Sequence, residues 1–155
     1  MASRHDTDFY GWAREQAETL RRAAGYRLND IPGLDWLNVA EEIDGLGISL
    51  ERELFSRYRV LLLHLLKWCF QPERRSPSWL RTIDNQRDEI GRLLEKSPSL
   101  RGKRLAEMTA AYPRARKDAA HETQIPVIVF PETCPFTIEQ VEDEAFWPEP
   151  AGPAS

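Results

Sequence analysis

The segment Val60–Phe70, VLLLHLLKWCF, is apolar except for His64 and Lys67. An imidazole can pass a proton near neutral pH, and an ammonium can hold an anion. On a helix, Glu53, Arg57, His64, Lys67 and Gln71 share one narrow stripe, because their spacings keep them near one face. Such a stripe could face a polar cleft between helices, with His64 as acid, base or ligand. We prefer a plainer reading. The stripe is the least buried edge of a central helix, His64 makes one satisfied hydrogen bond, and Lys67 snorkels to water.

Two further groupings could carry chemistry. Glu41, Glu42 and Asp44 in AEEIDG offer paired carboxylates, which suit acid–base work or a metal. Di-metal helical bundles supply Glu-x-x-His from two helices, and no such motif occurs here. His64 lies 22 residues from Glu42, about 33 Å along a straight helix. Only a sharp break near Gly45–Gly47, or a ligand such as His121, would join them. The simpler expectation is that these carboxylates pair with arginines of neighbouring helices. The second grouping is the elbow QPERRSPSW, where Arg74, Arg75 and Trp79 stand at a helix N-terminus. Together they could hold a phosphate or carboxylate. The structural alternative pairs Arg74 and Arg75 with acids from the second helix or the C-terminal helix, and packs Trp79 in the core.

Three histidines make a multi-histidine metal site an unfavoured reading, and no cofactor is expected. No zincin motif, P-loop, dinucleotide glycine fingerprint or Gly-x-Ser-x-Gly elbow occurs. Cys69 lies in the apolar run, which raises a thiol pKa and disfavours a nucleophile.

These groups need elements to position them. With 155 residues, 41% hydrophobic and 30% charged, the chain suits one domain with a real core. We take 6–147 as that domain, with flexible ends at 1–5 and 148–155. The N-terminus lacks an apolar signal region, no run approaches a membrane span, and Cys69 and Cys134 read as reduced thiols of a cytoplasmic protein. The net charge of −4 is segregated: residues 52–117 carry 16 Lys/Arg against 7 Asp/Glu, and residues 118–155 carry none against 8. We expect acidic ends folded back onto a basic middle, in preference to a basic binding surface.

The periodicity predicts an all-α chain: an antiparallel bundle of about four main helices, then an extended strap and a short helix. The first helix runs from Asp6–Asp8 to about Ala24, and YRLNDIPGLD is a loop. The long central helix spans about 35–70, capped by Asp35 and stopped before Pro72. Gly45 and Gly47 weaken it and permit a bend. SPSW and SPSL each read as a serine cap followed by proline, so Ser76 opens the third helix to about Lys96, and Ser97 opens the fourth. The inward positions are Trp79, Ile83, Ile90 and Leu94 on the third helix, and Leu105, Met108, Tyr112, Ala115 and Ala119 on the fourth. Pro113 should kink or break the fourth helix. IPVIVFPETCPF reads as the strap, Thr137 with Gln140 as a capping box, and WPEPAGPAS as a tail. Trp12, Trp36, Trp68 and Trp79 read as core. AFWPEP looks like a short peptide that could dock into a groove, its own or a partner's.

The stretches DTDFYGWAREQAETLR, LDWLNVAEEIDGLG, LLLHLLKWCFQPERRSPSW and CPFT, in this order, resemble the bacterial family called domain of unknown function 29. The resemblance covers about Asp6 to Glu144. It implies a small all-helical cytoplasmic protein, often present in many copies per genome, and it implies no activity. Pro113 departs from the uninterrupted helix expected there.

The expected role is a non-enzymatic protein–protein interaction or regulatory module, through an unidentified protein partner or self-association, with no membrane. A nucleic-acid-linked regulatory or antitoxin-like role ranks lower. So does a small-ligand, metal-binding or enzymatic role for His64, Lys67, Arg57, Arg74, Arg75, Trp79, Glu41 and Glu42.

Overall fold

The computed structural model describes residues 1–26 and 33–152. Among these the chain is all-α, 77% helical and without a strand. The six helices are α1 (Arg4–Thr7), α2 (Phe9–Gly25), α3 (Trp36–Phe70), α4 (Pro77–Lys96), α5 (Arg104–Thr123) and α6 (Ile138–Glu142). The loop expected at 26–35 lies mostly outside the described residues. The residues fall into two compact units: Met1–Glu53 with Leu93–Gly102, and Leu54–Arg92 with Lys103–Ser155.

In the first unit α2 starts where Asp8 caps it. The Asp8 carboxylate accepts from the Gly11 amide and from both the amide and the hydroxyl of Ser99. A Cβ at Gly11 would collide with that carboxylate and with the Ser99 hydroxyl, so a larger residue there would push the capping side chains aside. Tyr10, Ala13 and Ala17 of α2 are buried, with Ala40 of α3 and Leu93, Leu94 and Leu100. Small residues let the helices approach closely. A Cβ on Gly47 would stand 3.1 Å from Arg14. Asp35 caps α3 as its sequence suggests, accepting from the Asn38 amide at 3.2 Å. Neither Gly45 nor Gly47 interrupts α3, which continues to Phe70.

Ser97 departs from expectation. Its hydroxyl does not cap a helix; it accepts from the Tyr10 amide at 3.1 Å and is buried. A 3-10 stretch, Pro98–Lys103, follows, and α5 begins only at Arg104. SPSW behaves as read, because Ser76 accepts from the Trp79 amide at 3.2 Å. The two strings differ in fate because a distant donor reaches only one of them.

The core of the second unit is the C-terminal half of α3. Leu54, Tyr58, Leu61, Leu62, Leu65 and Leu66 are fully buried, on faces too many for a simple stripe. Ile83 and Ile90 of α4, and Met108, Ala111, Tyr112, Ala115 and Ala119 of α5, complete it. Leu105, expected inward, is 61% exposed: it sits in the first turn of α5, before the buried stripe begins. Pro113 does not break α5. It is exposed, and so is Thr109, so the carbonyl that lacks the proline's N–H belongs to a residue water can reach.

The strap carries a 3-10 turn at Val127–Val129, then Phe130, which is fully buried against Phe70 at 4.8 Å between rings. Thr137 and Gln140 form the expected capping box of α6. Beyond it the chain is tied down as far as Ala151, whose amide donates to the Cys69 carbonyl at 2.9 Å.

Candidate functional site

Two polar clusters of the second unit contain residues singled out from the sequence. The first surrounds Lys67, which is only 8% exposed. Its Nζ lies 2.7 Å from a Glu122 carboxylate oxygen and 4.4 Å from the centre of the Trp79 ring. The expectation that Lys67 snorkels to water is therefore corrected. An anion from α5 and an aromatic face from α4 replace water around the ammonium. His64 stands one helical turn earlier. Its Nδ1 is 2.9 Å from the Val60 carbonyl, and because a carbonyl only accepts, Nδ1 carries the proton and Nε2 the lone pair. Burial pushes the His64 imidazole below its ordinary 6.5, and the Lys67 charge adds to this. The Val60 carbonyl and Glu122 oppose it. Gln71 completes the stripe by donating to the Thr123 carbonyl at 3.4 Å. Arg57, on the same stripe, pairs with Glu89 at 3.8 Å.

A group whose folded pKa is depressed takes up its proton more readily when unfolded. Its contribution to stability is full above 6.5 and falls as pH drops below that value. We therefore expect thermal stability to decline between about pH 7 and pH 5.5 more steeply in the natural chain than in His64→Gln. Melting curves read by circular dichroism test this. Equal slopes would remove His64 as the cause.

The second place is built by two arginines that hold backbone instead of acids. Arg75 donates from Nε to the Trp68 carbonyl at 2.9 Å, lies 4.7 Å over the Trp68 ring, and reaches the Pro148 carbonyl at 3.5 Å. Arg87 is 4% exposed. Its Nε donates to the Val141 carbonyl at 2.9 Å, and its Nη2 to Phe146 at 2.8 Å and Gln140 at 3.3 Å. Among the described residues its buried Nη1 has no hydrogen-bond partner. Burial lowers the pKa of this guanidinium, opposed by the nearby charges of Asp84, Asp143 and Glu144. Between the two cations two indoles meet: Trp147 lies 4.7 Å from Trp68 and 5.5 Å from the Arg87 guanidinium. The AFWPEP segment thus docks on its own chain.

Arg74 is exposed, and Trp79 is half-buried beneath Lys67. Glu41 and Glu42 are exposed on α3 in the first unit. The expectation that they bind arginines is met by Asp44 instead, which takes Arg14 at 2.7 Å and Arg21 at 3.1 Å. Trp12, Trp36 and Trp68 are half-buried, not core. His121 is exposed. Among the described residues no three His, Cys, Asp or Glu side chains are placed to hold a metal ion. Burial raises the pKa of both thiols, which are unpaired.

Sequence reasoning overlooked Arg87 and Glu122. For Arg87 a signal existed. It falls between Ile83 and Ile90 at spacings of four and three, on the inward stripe of α4. For Glu122 none existed, because its partner is 55 residues away.

A family model described as Domain of unknown function DUF29 matches residues 5–147. The chain belongs to this family. Nearly the whole DUF29 chain is covered by the match, including α2 through α6. No curated protein and no solved structure matches it. No described helix of this DUF29 member is long and apolar enough to cross a membrane.

Proposed function

We propose that this protein is a non-enzymatic interaction module that docks another protein through the strap of its second unit. One observation carries the reading. Val127, Ile128 and Val129 are 41%, 84% and 41% exposed, yet the turn that presents them is firmly held. Pro126 leads into it, and Phe130 anchors it in the core. Arg116 donates to the Phe130 carbonyl at 3.0 Å, and Tyr112 to the Pro131 carbonyl at 2.5 Å. Burial pushes the Tyr112 phenol up to about 12, so it remains a donor. Three β-branched side chains on a fixed turn lose little freedom on binding, which favours association. Beside them lies an open depression of about 460 Å³, lined by Phe70, Ile125 and Val129 among others, and able to receive a partner's side chain.

Several features support this reading over its alternatives. A nucleic-acid role would draw on the basic middle of the chain, yet much of that charge is engaged. Arg59 pairs with Asp118 at 2.6 Å, Lys67 with Glu122 and Arg104 with Glu142 at 2.7 Å each. A metal role for His64 would use Nε2, and among the described residues no group of three His, Cys, Asp or Glu side chains is placed to share an ion with it. The unpaired cysteines suit a cytoplasmic setting.

The test is co-purification of partners by the natural chain and by Ile128→Asp. A charge at the most exposed apolar position should reduce a stoichiometric partner about tenfold or more, with helicity unchanged. Equal recovery by both would sink the reading.

A further inference from the structure

We propose that the Arg75–Trp68–Arg87 cradle is a binding site for an extended Trp-Pro peptide segment of a partner protein, and that Phe146–Ala151 is a ligand held there in cis. The cradle does not include the Val127–Val129 side chains, although Ala151 of the segment helps to line the depression beside Val129; Ile128→Asp and Trp147→Ala test the two ideas apart.

Half of the cradle exists without the segment. Arg75 is held by the Trp68 carbonyl and its guanidinium stands 4.7 Å over the Trp68 ring, both within or next to the end of α3. The segment then docks as extended peptides do, through its main chain and one aromatic anchor. The Phe146 carbonyl accepts from Arg87, and the Pro148 carbonyl from Arg75. The Glu149 carbonyl accepts from the Cys69 thiol at 3.2 Å, and the Ala151 amide donates to the Cys69 carbonyl. Trp147 supplies the anchor on Trp68. Pro148 is buried. Pro148 and Pro150 pre-set an extended backbone, which lowers the entropy lost on docking. The link to α6 is slight: Asp143, Glu144 and Ala145 are exposed, and their bonds are local, such as the Ala145 amide to the Asp143 carboxylate at 2.9 Å.

The segment is also an imperfect ligand. Among the described residues it leaves Arg87 Nη1 buried without an acceptor. It sets Glu144 in an open depression that already holds Asp84 and Asp88, beside Leu80, Asn85 and Trp147. Arg87 offsets part of this like-charge crowding, and Arg92 pairs with Asp88 at 2.9 Å; a basic residue at position 144 would complement Asp84. The chemistry that fits the site is therefore a Lys or Arg three residues before a Trp-Pro pair. A cis segment acts at millimolar effective concentration, so a partner displaces it only by fitting better.

The experiment measures binding of a synthetic peptide spanning Glu144–Gly152, in its natural form and as Glu144→Lys, to full-length chains. Trp147→Ala removes the cis anchor and should bind the natural peptide about tenfold or more tighter than the natural chain does. Trp147→Ala with Arg75→Ala should bind neither peptide. The Glu144→Lys peptide should bind more tightly than the natural one, with the gain fading as salt rises. Should Trp147→Ala fail to fold, the natural chain still reports. Excess Glu144→Lys peptide should release its own segment, seen as faster proteolysis within 143–152. A helical Trp147→Ala chain that ignores both peptides would overturn the proposal. So would no change in proteolysis of the natural chain. A concentration-dependent dimer of the natural chain, lost in Trp147→Ala, would also overturn it by assigning the cradle to a second copy. Ile128→Asp should leave peptide binding unchanged.

Discussion

Arg87→Ala should lower the unfolding free energy by about 3–5 kcal/mol, as much as truncating a large core side chain. Removing the guanidinium strands the carbonyls of Gln140, Val141 and Phe146 together. It also empties the space beneath Trp147. Each unpaired buried acceptor costs about 1–3 kcal/mol, although water entering the gap offsets part. Arg87→Lys should restore only part of the loss, since an ammonium cannot present the planar fork that spans three carbonyls. Arg87→Met restores volume and no donor, so it should resemble alanine more than lysine. Urea unfolding followed by tryptophan emission reads the effect, because Trp68 and Trp147 lie within the disturbed region. A loss below about 1 kcal/mol would mean that water replaces the arginine without penalty.

The Lys67 pair should show an asymmetry that a simple count of ion pairs would miss. Glu122→Gln is expected to cost about 1–2 kcal/mol, and Lys67→Met less than about 1 kcal/mol. Removing the carboxylate leaves a cation in a site where its side chain is 10% exposed, with only Trp79 and water at the margin. Removing the cation with a side chain of similar length removes the burial cost too. The full penalty of a buried pair does not apply, because Glu122 is 45% exposed and solvent screens it. Denaturant titration of both variants and of the double variant gives the coupling. A greater loss for Lys67→Met than for Glu122→Gln would reverse the argument.

How much of this was readable beforehand depends on the range of each interaction. The caps at Asp35, Ser76 and Thr137 are settled within three residues, so the helix starts they mark could be read from the string. Ser97 could not be read that way. The same tripeptide is claimed by the Tyr10 amide, 87 residues away. Lys67 was misjudged because hydropathy treats lysine as seeking water, and the compensating Glu122 and Trp79 arrive from other helices. Arg75 and Arg87 were hard for a different reason. Arginine in a basic segment invites a search for acids, and these two instead hold carbonyls of the Gln140–Pro148 segment. Pro113 is tolerated because the carbonyl it leaves unpaired belongs to an exposed residue.

The same distinction separates the candidate residues. The stripe of Arg57, His64, Lys67 and Gln71 is real, but its members hold neighbours: Arg57 pairs with Glu89, His64 Nδ1 with the Val60 carbonyl, Lys67 with Glu122, and Gln71 with the Thr123 carbonyl. Satisfied groups hold a fold together. In the second unit three consecutive apolar residues, Val127–Val129, are exposed instead.

The most direct measurement is recovery of bound material by the tagged natural chain from its own cells, with and without nuclease, beside Ile128→Asp. The interaction-module account predicts a protein recovered at about one to one, unaffected by nuclease and lost in the variant. Recovery that vanishes with nuclease, or that Ile128→Asp retains in full, would contradict it.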